Sequence, residues 1–234
     1  MKRLILTAAI LIGLAAPAWA GFAEGVAAYD RGDYATALRQ WRPLAEQGDA
    51  DAQHNIGIMY NEGKGVPQDY AEAVRWYSKA ANQGNDAALH NLGFMYQKGR
   101  GVPQDYAKAV KWYRKAAEQG FAEAQINLGV MYYKGQGVPQ DYVEAMKWYR
   151  KAVNQGNATG QTSLGVMYYK GQAVPQDYVK AHMWFNLAAS NLAASADRDT
   201  AVKYRDILAA KMTPAQIAEA QRLAREWKPK KEGK

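Results

Sequence analysis

The sequence predicts an all-α protein, and more specifically an α-solenoid in which antiparallel helix pairs stack in a row. The first observation behind this prediction is a repeat, because the stretch Val66-Pro67-Gln68-Asp69-Tyr70 recurs at 102–106, 138–142 and 174–178, always 36 residues apart. The second is that the apolar residues inside each unit follow the period of a helix. Units of 36 residues are too small to bury their own apolar faces, so neighbouring units must stack.

Each unit contains two amphipathic segments separated by a glycine-rich loop. In the first full unit, the apolar face of the first segment lies at i, i+4, i+7 and i+8 and consists of Ala52, Ile56, Met59 and Tyr60. The second segment has a similar face, formed by Tyr70, Ala73, Val74, Tyr77, Ala80 and Ala81. Residues 63–68 between them hold two glycines and a proline, which end one helix and begin the next. Each unit is therefore expected to fold as helix, loop and helix.

The ends of the predicted helices carry capping residues. Asp69 is placed to cap the second helix, and Glu72 three residues later would complete a capping box. Asp141 and Glu144 repeat this pair, whereas the other two units carry lysine at the position of the glutamate. Three units end in a glycine that favours the left-handed conformation after a helix, namely Gly84, Gly120 and Gly156.

Four glycines lie in the middle of the predicted first helices, where each costs roughly 1 kcal/mol relative to alanine. They occupy the same position in every full unit: Gly57, Gly93, Gly129 and Gly165. A cost repeated in every unit indicates a packing requirement. We expect the absent side chain to let the second helix approach closely, with Tyr77 and its equivalents filling the space.

The N-terminus has the pattern of a secretory signal peptide. Lys2 and Arg3 precede an apolar stretch at 4–16, and Ala18-Trp19-Ala20 has the form of a cleavage site. Residues 1–20 are therefore predicted to be removed, which would leave no segment for stable membrane insertion and would place the mature protein in the periplasm or outside the cell. The chain has no cysteine, so it can form neither a disulfide nor a thiolate metal site.

The remaining chain divides into one solenoid and a tail. Residues 21–48 are predicted to form a shorter first unit, in which Trp41 takes the place of Tyr77. In 193–227 we expect a helical cap, with one helix at 197–211 and a second that opens at Thr213-Pro214. Residues 228–234 form a basic tail. The solenoid thus spans 21–227, and its full repeats are 49–84, 85–120, 121–156 and 157–192.

The repeat resembles the Sel-one-like repeat, a relative of the tetratricopeptide repeat. In the third unit the resemblance rests on Ala122-Glu123-Ala124-Gln125, Leu128-Gly129-Val130-Met131-Tyr132, Gly135-Gln136-Gly137-Val138, Asp141-Tyr142, Ala145 and Trp148-Tyr149. The resemblance implies a right-handed superhelix and a role as an adaptor that assembles protein complexes, in exported bacterial members at the cell envelope. Some cysteine-rich relatives are linked to β-lactam binding, and the lack of cysteine separates this chain from them.

A partner is expected on the concave face, which first helices line in related solenoids. The residues expected there are His54, Ile58, His90, Phe94, Lys98, Ile126, Val130, Tyr133, Lys134, Val166, Tyr169 and Lys170. Aromatic and aliphatic side chains beside a row of lysines suit an extended peptide with an acidic end. The alternative is that the tyrosines only cover the seams between helices.

Catalytic motifs are absent from the sequence. It contains neither Ser-x-x-Lys nor Gly-x-Ser-x-Gly, and its glycine-rich loops lack the spacing of a phosphate-binding loop. His54 and His90 lie one repeat apart, which is too far for them to share a metal ion, and His182 is expected on a helix surface. We therefore expect neither a metal nor another cofactor.

The predicted function is a non-enzymatic adaptor that binds a protein or peptide. The net charge of +8 could favour anionic surfaces, but an exported protein is not expected to meet nucleic acid. The exposed tyrosines and the basic tail leave open a protein that binds peptidoglycan or another glycan. A β-lactam- or glycan-processing enzyme is the third hypothesis.

Overall fold

A computed structural model describes residues 18–229, and within them it contains twelve helices and no strand. The all-α solenoid is confirmed. In chain order the helices are α1 (Ala18–Asp30), α2 (Tyr34–Glu46), α3 (Ala50–Glu62), α4 (Tyr70–Asn82), α5 (Asp86–Lys98), α6 (Tyr106–Glu118), α7 (Ala122–Lys134), α8 (Tyr142–Asn154), α9 (Ala158–Lys170), α10 (Tyr178–Asn191), α11 (Ala196–Ala209) and α12 (Pro214–Glu226). Residues 1–17 of the predicted signal peptide and 230–234 of the predicted tail lie outside the described residues.

Hydrogen bonds at both ends show that the helices of a unit are antiparallel. The Asp69 N–H at the start of α4 donates to the Tyr60 carbonyl near the end of α3, at 2.9 Å. At the opposite end, the Gln83 side chain after α4 donates to the Gln53 side chain near the start of α3, also at 2.9 Å. Because the end of each helix meets the beginning of the other, the pair forms an αα-hairpin.

The mid-helix glycines allow the two helices of a unit to touch, as the sequence predicts. A Cβ atom added at Gly57 would lie 2.6 Å from the ring of Tyr77, which is far inside van der Waals contact. The same overlap would occur between Gly93 and Tyr113, and the Tyr113 side chain is fully buried. Aromatic rings therefore occupy the volume that a side chain on the first helix would need.

The shorter first unit uses the same packing device with a different ring. Helices α1 and α2 are joined by only three residues, and Trp41 of α2 lies across Gly25 of α1, where a Cβ atom would overlap the indole. The indole N–H of Trp41 donates to the Phe22 carbonyl at 3.2 Å. Trp41 thus takes the role that Tyr77 has in the next unit, in agreement with the sequence analysis.

Buried glutamines join the first and third full units to the unit before them. The Gln53 side chain donates to the Ala45 carbonyl at 2.9 Å, and Gln125 donates in the same way to the Ala117 carbonyl at 3.1 Å. Both amides are almost fully buried, so an unpaired polar group there would be costly. These bonds fix how far one helix pair is displaced along the next.

The predicted capping boxes are only half formed. The Asp69 carboxylate accepts from the N–H groups of Ala71 and Glu72, so Asp69 is an N-cap. The Glu72 carboxylate, however, accepts from Arg75 at 3.1 Å instead of reaching back to the N-cap backbone. An arginine three residues later offers a charged donor, which binds more strongly than a neutral N–H. The reciprocal half of the prediction is therefore wrong for Glu72, as it is for Glu144, whose carboxylate pairs with Lys147 at 3.0 Å.

The C-terminal helices depart from the regular stack. Helices α11 and α12 both pack against α10, and they do not pair with each other as the earlier helices do. His182 of α10 lies in this packing and is only 3% exposed, so the prediction of a surface position is wrong. Its position corresponds to Met146 one unit earlier, which is also buried. The histidine is covered because the cap closes over the surface that a further unit would otherwise cover.

Candidate functional site

The odd-numbered helices α1, α3, α5, α7 and α9 form one surface, which we call the first-helix face. Because the repeats place these helices in the same direction, equivalent residues line up across the surface. A half-buried apolar row runs through its middle and consists of Ile58, Phe94, Val130 and Val166. All four were predicted as partner-binding residues. Each of these side chains packs partly against a core cluster and keeps part of its surface exposed on this face.

Charged residues border the apolar row on both sides. The ends of three helices carry the exposed lysines of what we call the lysine edge: Lys98, Lys134 and Lys170. The first turns carry the exposed acids of the acidic edge: Asp51, Asp86 and Glu123. Each sign complements the helix dipole at its end, and the edges are separated by a helix length of about 18 Å. The predicted binding residues include the whole lysine edge.

The two predicted histidines take part in seams between units. The Asn91 side chain donates to Nε2 of His54 at 3.0 Å, and Asn127 donates to His90 at 2.9 Å. An asparagine N–H group requires an acceptor, so each imidazole is neutral at Nε2. Burial lowers the pKa of both histidines, which agrees with the neutral form. Their first role is therefore structural, although one edge of each ring remains exposed.

Several other predicted residues also contribute to seams. Ile126 is only 7% exposed and packs near Gly160, so its side chain belongs to the core and not to the surface. The Tyr133 hydroxyl accepts a hydrogen bond from Lys170 of the following unit at 3.0 Å, and this bond raises the pKa of the lysine. The Tyr169 ring lies 6.2 Å from the ring of Tyr204 in α11. These tyrosines thus join units and remain half-buried on the face.

Three clefts open on the first-helix face. One of about 200 Å³ lies between α1 and α3 and includes Ile58. A second, of about 470 Å³, lies between α5 and α7 and is lined in part by Phe94 and Lys98. The third, of about 300 Å³, is bounded by α7, α9 and α11, and we call it the α9 cleft. Thr159 lines both the second and the third cleft, so these two adjoin one another.

The α9 cleft brings together residues that the sequence analysis did not select. Tyr149 of α8 reaches its floor, and Ser163 of α9 lies beside it. Asp197 and Thr200 of α11 form a further wall. Only the folded cap brings α11 to this place, and no repeat motif marks its residues.

The described residues offer no other obvious chemistry. Among residues 18–229 there is no group of three or more histidine, aspartate or glutamate side chains placed to hold a metal ion. Within the same range, no helix combines the length and the apolar character that crossing a bilayer requires. The most developed feature of this surface is therefore the first-helix face and its clefts.

Antiparallel helix pairs with a 36-residue repeat and one open face define a helical repeat protein of the solenoid class. The Sel1 repeat pattern matches four consecutive segments, at residues 50–85, 86–121, 122–157 and 158–191. The chain therefore belongs to the Sel1 repeat family. Members of this family form a scaffold fold that commonly serves protein interaction and is generally non-catalytic.

Solved structures resemble the chain along most of its length. A protective antigen present in uropathogenic Escherichia coli strains, with an SLR fold, is 32% identical with a TM-score of 0.71 over 90% of this chain; the match spans 54% of the antigen's own length. A Sel1 repeat protein from Oxalobacter formigenes is 30% identical with a TM-score of 0.69, and the match covers 83% of this chain and 86% of that one. The immunity protein PA5088 from Pseudomonas aeruginosa, at 23% identity and a TM-score of 0.51 over 89% of each chain, shares the fold. No curated protein matched.

Proposed function

We propose that the protein is a non-enzymatic adaptor that binds a partner polypeptide along the first-helix face. The observation that carries this proposal is the apolar row between the lysine edge and the acidic edge, with clefts opening between its helices. Apolar side chains in clefts provide most of the affinity of protein interfaces, and charges at the rim orient the partner. The combination is suited to a polypeptide that crosses several units.

The arrangement of the clefts supports a guest longer than a single residue. Phe94 and Val130 occupy the same helix position in successive units and line different clefts. The exposed lysines at one border favour acidic groups on the partner, and the acids at the other border favour basic groups. A partner with an apolar stripe and opposite charges on its two sides would match the apolar row, the lysine edge and the acidic edge. This arrangement adds basic groups to the acidic peptide expected from the sequence.

The proposed location is the bacterial periplasm or the outside of the cell. The support is the signal-peptide pattern of residues 1–20, with Ala18-Trp19-Ala20 as the cleavage site. An exported adaptor without cysteine depends on helix packing alone for its stability. N-terminal sequencing of the protein purified from the envelope fraction tests this proposal, and the expected first residue is Gly21.

The adaptor role can be tested with variants of the first-helix face. The double variant Phe94→Ala/Tyr133→Ala should lose most partner capture in crosslinked envelope extracts, quantified by mass spectrometry, while its circular dichroism stays helical. Val143→Ala is the matched control, because Val143 is 64% exposed on α8, away from the first-helix face. Equal capture by the double variant and the control would exclude this face as the binding site.

Binding to a glycan is the alternative outcome of the same experiment. The purified protein is incubated with isolated peptidoglycan that has been stripped of protein, and the sediment is analysed. Retention that is lost in Phe94→Ala/Tyr133→Ala would indicate a glycan guest on the same face and would overturn the proposal of a polypeptide partner. Absence of retention, together with capture of a protein, supports the adaptor.

A further inference from the structure

Tyr149 at the floor of the α9 cleft carries a buried hydroxyl group that lacks the glutamine partner of its equivalent one unit earlier. In the second full unit, the Tyr113 hydroxyl donates to the Gln97 side chain at 2.8 Å, within the same unit. One repeat later these positions hold Tyr149 and Tyr133, and the amide acceptor is gone. In the last full unit the position of Tyr149 is Phe185, which has no hydroxyl. In the third unit the amide acceptor is lost, and Tyr149 lines the α9 cleft beside Ser163, which its hydroxyl contacts instead.

The serine and threonine hydroxyl groups of α9 beside this floor already donate their protons to backbone carbonyl groups. The Ser163 hydroxyl donates to the Thr159 carbonyl at 3.0 Å, and that of Thr162 donates to the Ala158 carbonyl at 3.3 Å. The Tyr149 hydroxyl forms a side-chain contact with Ser163, and because the Ser163 proton is already donated, the Tyr149 O–H donates to the Ser163 oxygen. The lone pairs that remain on these oxygen atoms can only accept. Tyr149 is 3% exposed, and burial raises the pKa of its phenol, so it stays neutral. The floor therefore accepts a hydrogen bond from a guest and does not attract an anion.

The walls above this floor are apolar and close together. Val130 and Val166 face the cleft from α7 and α9, and Thr200 adds a methyl group from α11. The volume of about 300 Å³ lies at the lower end of the range for ligand pockets and suits one aromatic side chain. A guest must therefore combine an apolar body with a donor at its tip.

Two charges of opposite sign lie on the rim of the cleft. Lys134 ends α7 and Asp197 lies in the first turn of α11, and both line the cleft. Among residues 18–229 neither forms a salt bridge or a side-chain hydrogen bond. Charges without partners on two helices that face one another are complementary to a guest with one acidic and one basic group.

We propose that the α9 cleft is a recognition pocket for a tyrosine side chain of the partner polypeptide. The ring lies between Val130 and Val166, and its hydroxyl donates to the oxygen atom of Tyr149. An acidic neighbour in the partner pairs with Lys134, and a basic neighbour pairs with Asp197. This inference rests on the proposed function, for which it specifies one anchor of the guest.

Short peptides with defined sequences test the pocket directly. The probes are the capped pentapeptides Glu-Ala-Tyr-Ala-Lys, Glu-Ala-Phe-Ala-Lys and Ala-Ala-Tyr-Ala-Ala, titrated into the purified isotope-labelled protein and followed by amide chemical shifts. The first peptide should shift the amides of Thr162, Ser163 and Thr200. It should bind about fivefold more tightly than the phenylalanine peptide, as expected for one hydrogen bond. Removal of its two charges should weaken binding and abolish its dependence on salt.

Substitutions in the cleft distinguish binding in this pocket from nonspecific binding elsewhere on the protein. Val166→Trp fills the cleft and should abolish binding of the tyrosine peptide, whereas Val143→Trp on α8 should leave it unchanged. Thr200→Trp blocks the cleft from an exposed position, so it remains informative if Val166→Trp does not fold. Tyr149→Phe should reduce the preference for tyrosine over phenylalanine without removing binding.

The results also distinguish this inference from the proposed function. Shifts outside the cleft, equal affinity for the two aromatic peptides, or binding that survives both tryptophan variants in the cleft would overturn the pocket. If partner capture still depended on Phe94 and Tyr133 in that case, the adaptor role would stand without the pocket.

Discussion

The imidazole of His54 accepts a hydrogen bond from the side chain of Asn91 at 3.0 Å, across the seam between α3 and α5. The same bond joins His90 and Asn127 one unit later, at 2.9 Å. Each asparagine lies 37 residues after its histidine, one more than the repeat length, so the bond connects adjacent units. These two residues on each seam help to hold the first helices at the spacing that leaves the clefts open.

Removal of an asparagine from this seam should destabilise the protein measurably. In Asn91→Ala the largely buried Nε2 of His54 loses its donor, and we expect a loss of about 1–2 kcal/mol in the free energy of unfolding. Urea denaturation followed by circular dichroism measures this change. Asn82→Ala is the control, since Asn82 is exposed at the end of α4 and should change stability by less than about 0.5 kcal/mol. A loss no larger than that of the control would show that the bond contributes little.

Mild acid should destabilise the fold through its histidines. Burial lowers the pKa of His54, His90 and His182 below the ordinary value of 6.5. Below this pH the unfolded chain takes up protons that the folded chain does not, so stability is present above 6.5 and is lost as the pH falls. The limiting slope is about 1.4 kcal/mol per pH unit for each histidine.

The contribution of one histidine can be isolated by comparing pH values. His182→Met introduces the residue found at Met146 in the previous unit, and it removes a buried Nδ1 atom that has no hydrogen-bond partner. The variant should gain stability relative to the parent at pH about 5 by more than it does at pH about 8, because only at the lower pH does the unfolded histidine bind a proton. Parallel stability curves over this interval would contradict the prediction.

A methyl group at a mid-helix glycine should be harmful only while the facing ring is present. A Cβ atom at Gly93 would lie 2.6 Å from the ring of Tyr113, so Gly93→Ala should cost about 1–3 kcal/mol despite the better helix propensity of alanine. In a Tyr113→Ala background the same substitution should be neutral or stabilising. Thermal and urea unfolding of the four proteins gives the coupling energy between the two positions. Equal effects in both backgrounds would refute close packing as the reason for the glycine.

Two equivalent tyrosines should respond differently to loss of their hydroxyl groups. Tyr113→Phe removes the hydrogen bond to Gln97 and leaves a partly buried acceptor without this donor, so it should cost about 1 kcal/mol. Tyr149→Phe removes a hydroxyl group that contacts the half-buried Ser163 hydroxyl beside the α9 cleft, and it should cost less than half as much. Each variant is compared with the parent protein by urea unfolding. A cost for Tyr149→Phe as large as that for Tyr113→Phe would show that the contact with Ser163 stabilises the protein as much as the bond to Gln97.

The contacts inside a unit could be predicted because they follow from spacing along the chain. Gly57 and Tyr77 are 20 residues apart and belong to one helix pair, and the pair recurs at the same separation in each full unit. A periodic sequence must satisfy the same local geometry several times, so a costly glycine in every unit reveals its packing role. The N-cap of α12 at Thr213 could also be predicted, because capping depends only on residues within one turn.

The details of charge pairing could not be predicted from spacing alone. The Glu72 carboxylate could accept a hydrogen bond either from the N-cap backbone N–H or from Arg75. The side-chain conformation decides between these two donors, and it favours Arg75. Ile126 was placed on the surface because it occupies the position of His54 and His90, although the neighbouring Gly160 allows it to enter the core. The difference comes from the next unit, where a glycine replaces a larger side chain.

By itself, the sequence determined the class of fold, the helix pairs and the apolar row of the first-helix face, because all three repeat with a fixed period and depend on contacts between near neighbours. Only the tertiary structure decided where α11 lies, how it buries His182 and how Asp197 and Thr200 come to face Val130. The residues of α11 belong to no repeat, so their position follows from how the non-repeated cap packs on α10. The α9 cleft has its third wall because of that packing, since α11 supplies Asp197 and Thr200 to its lining.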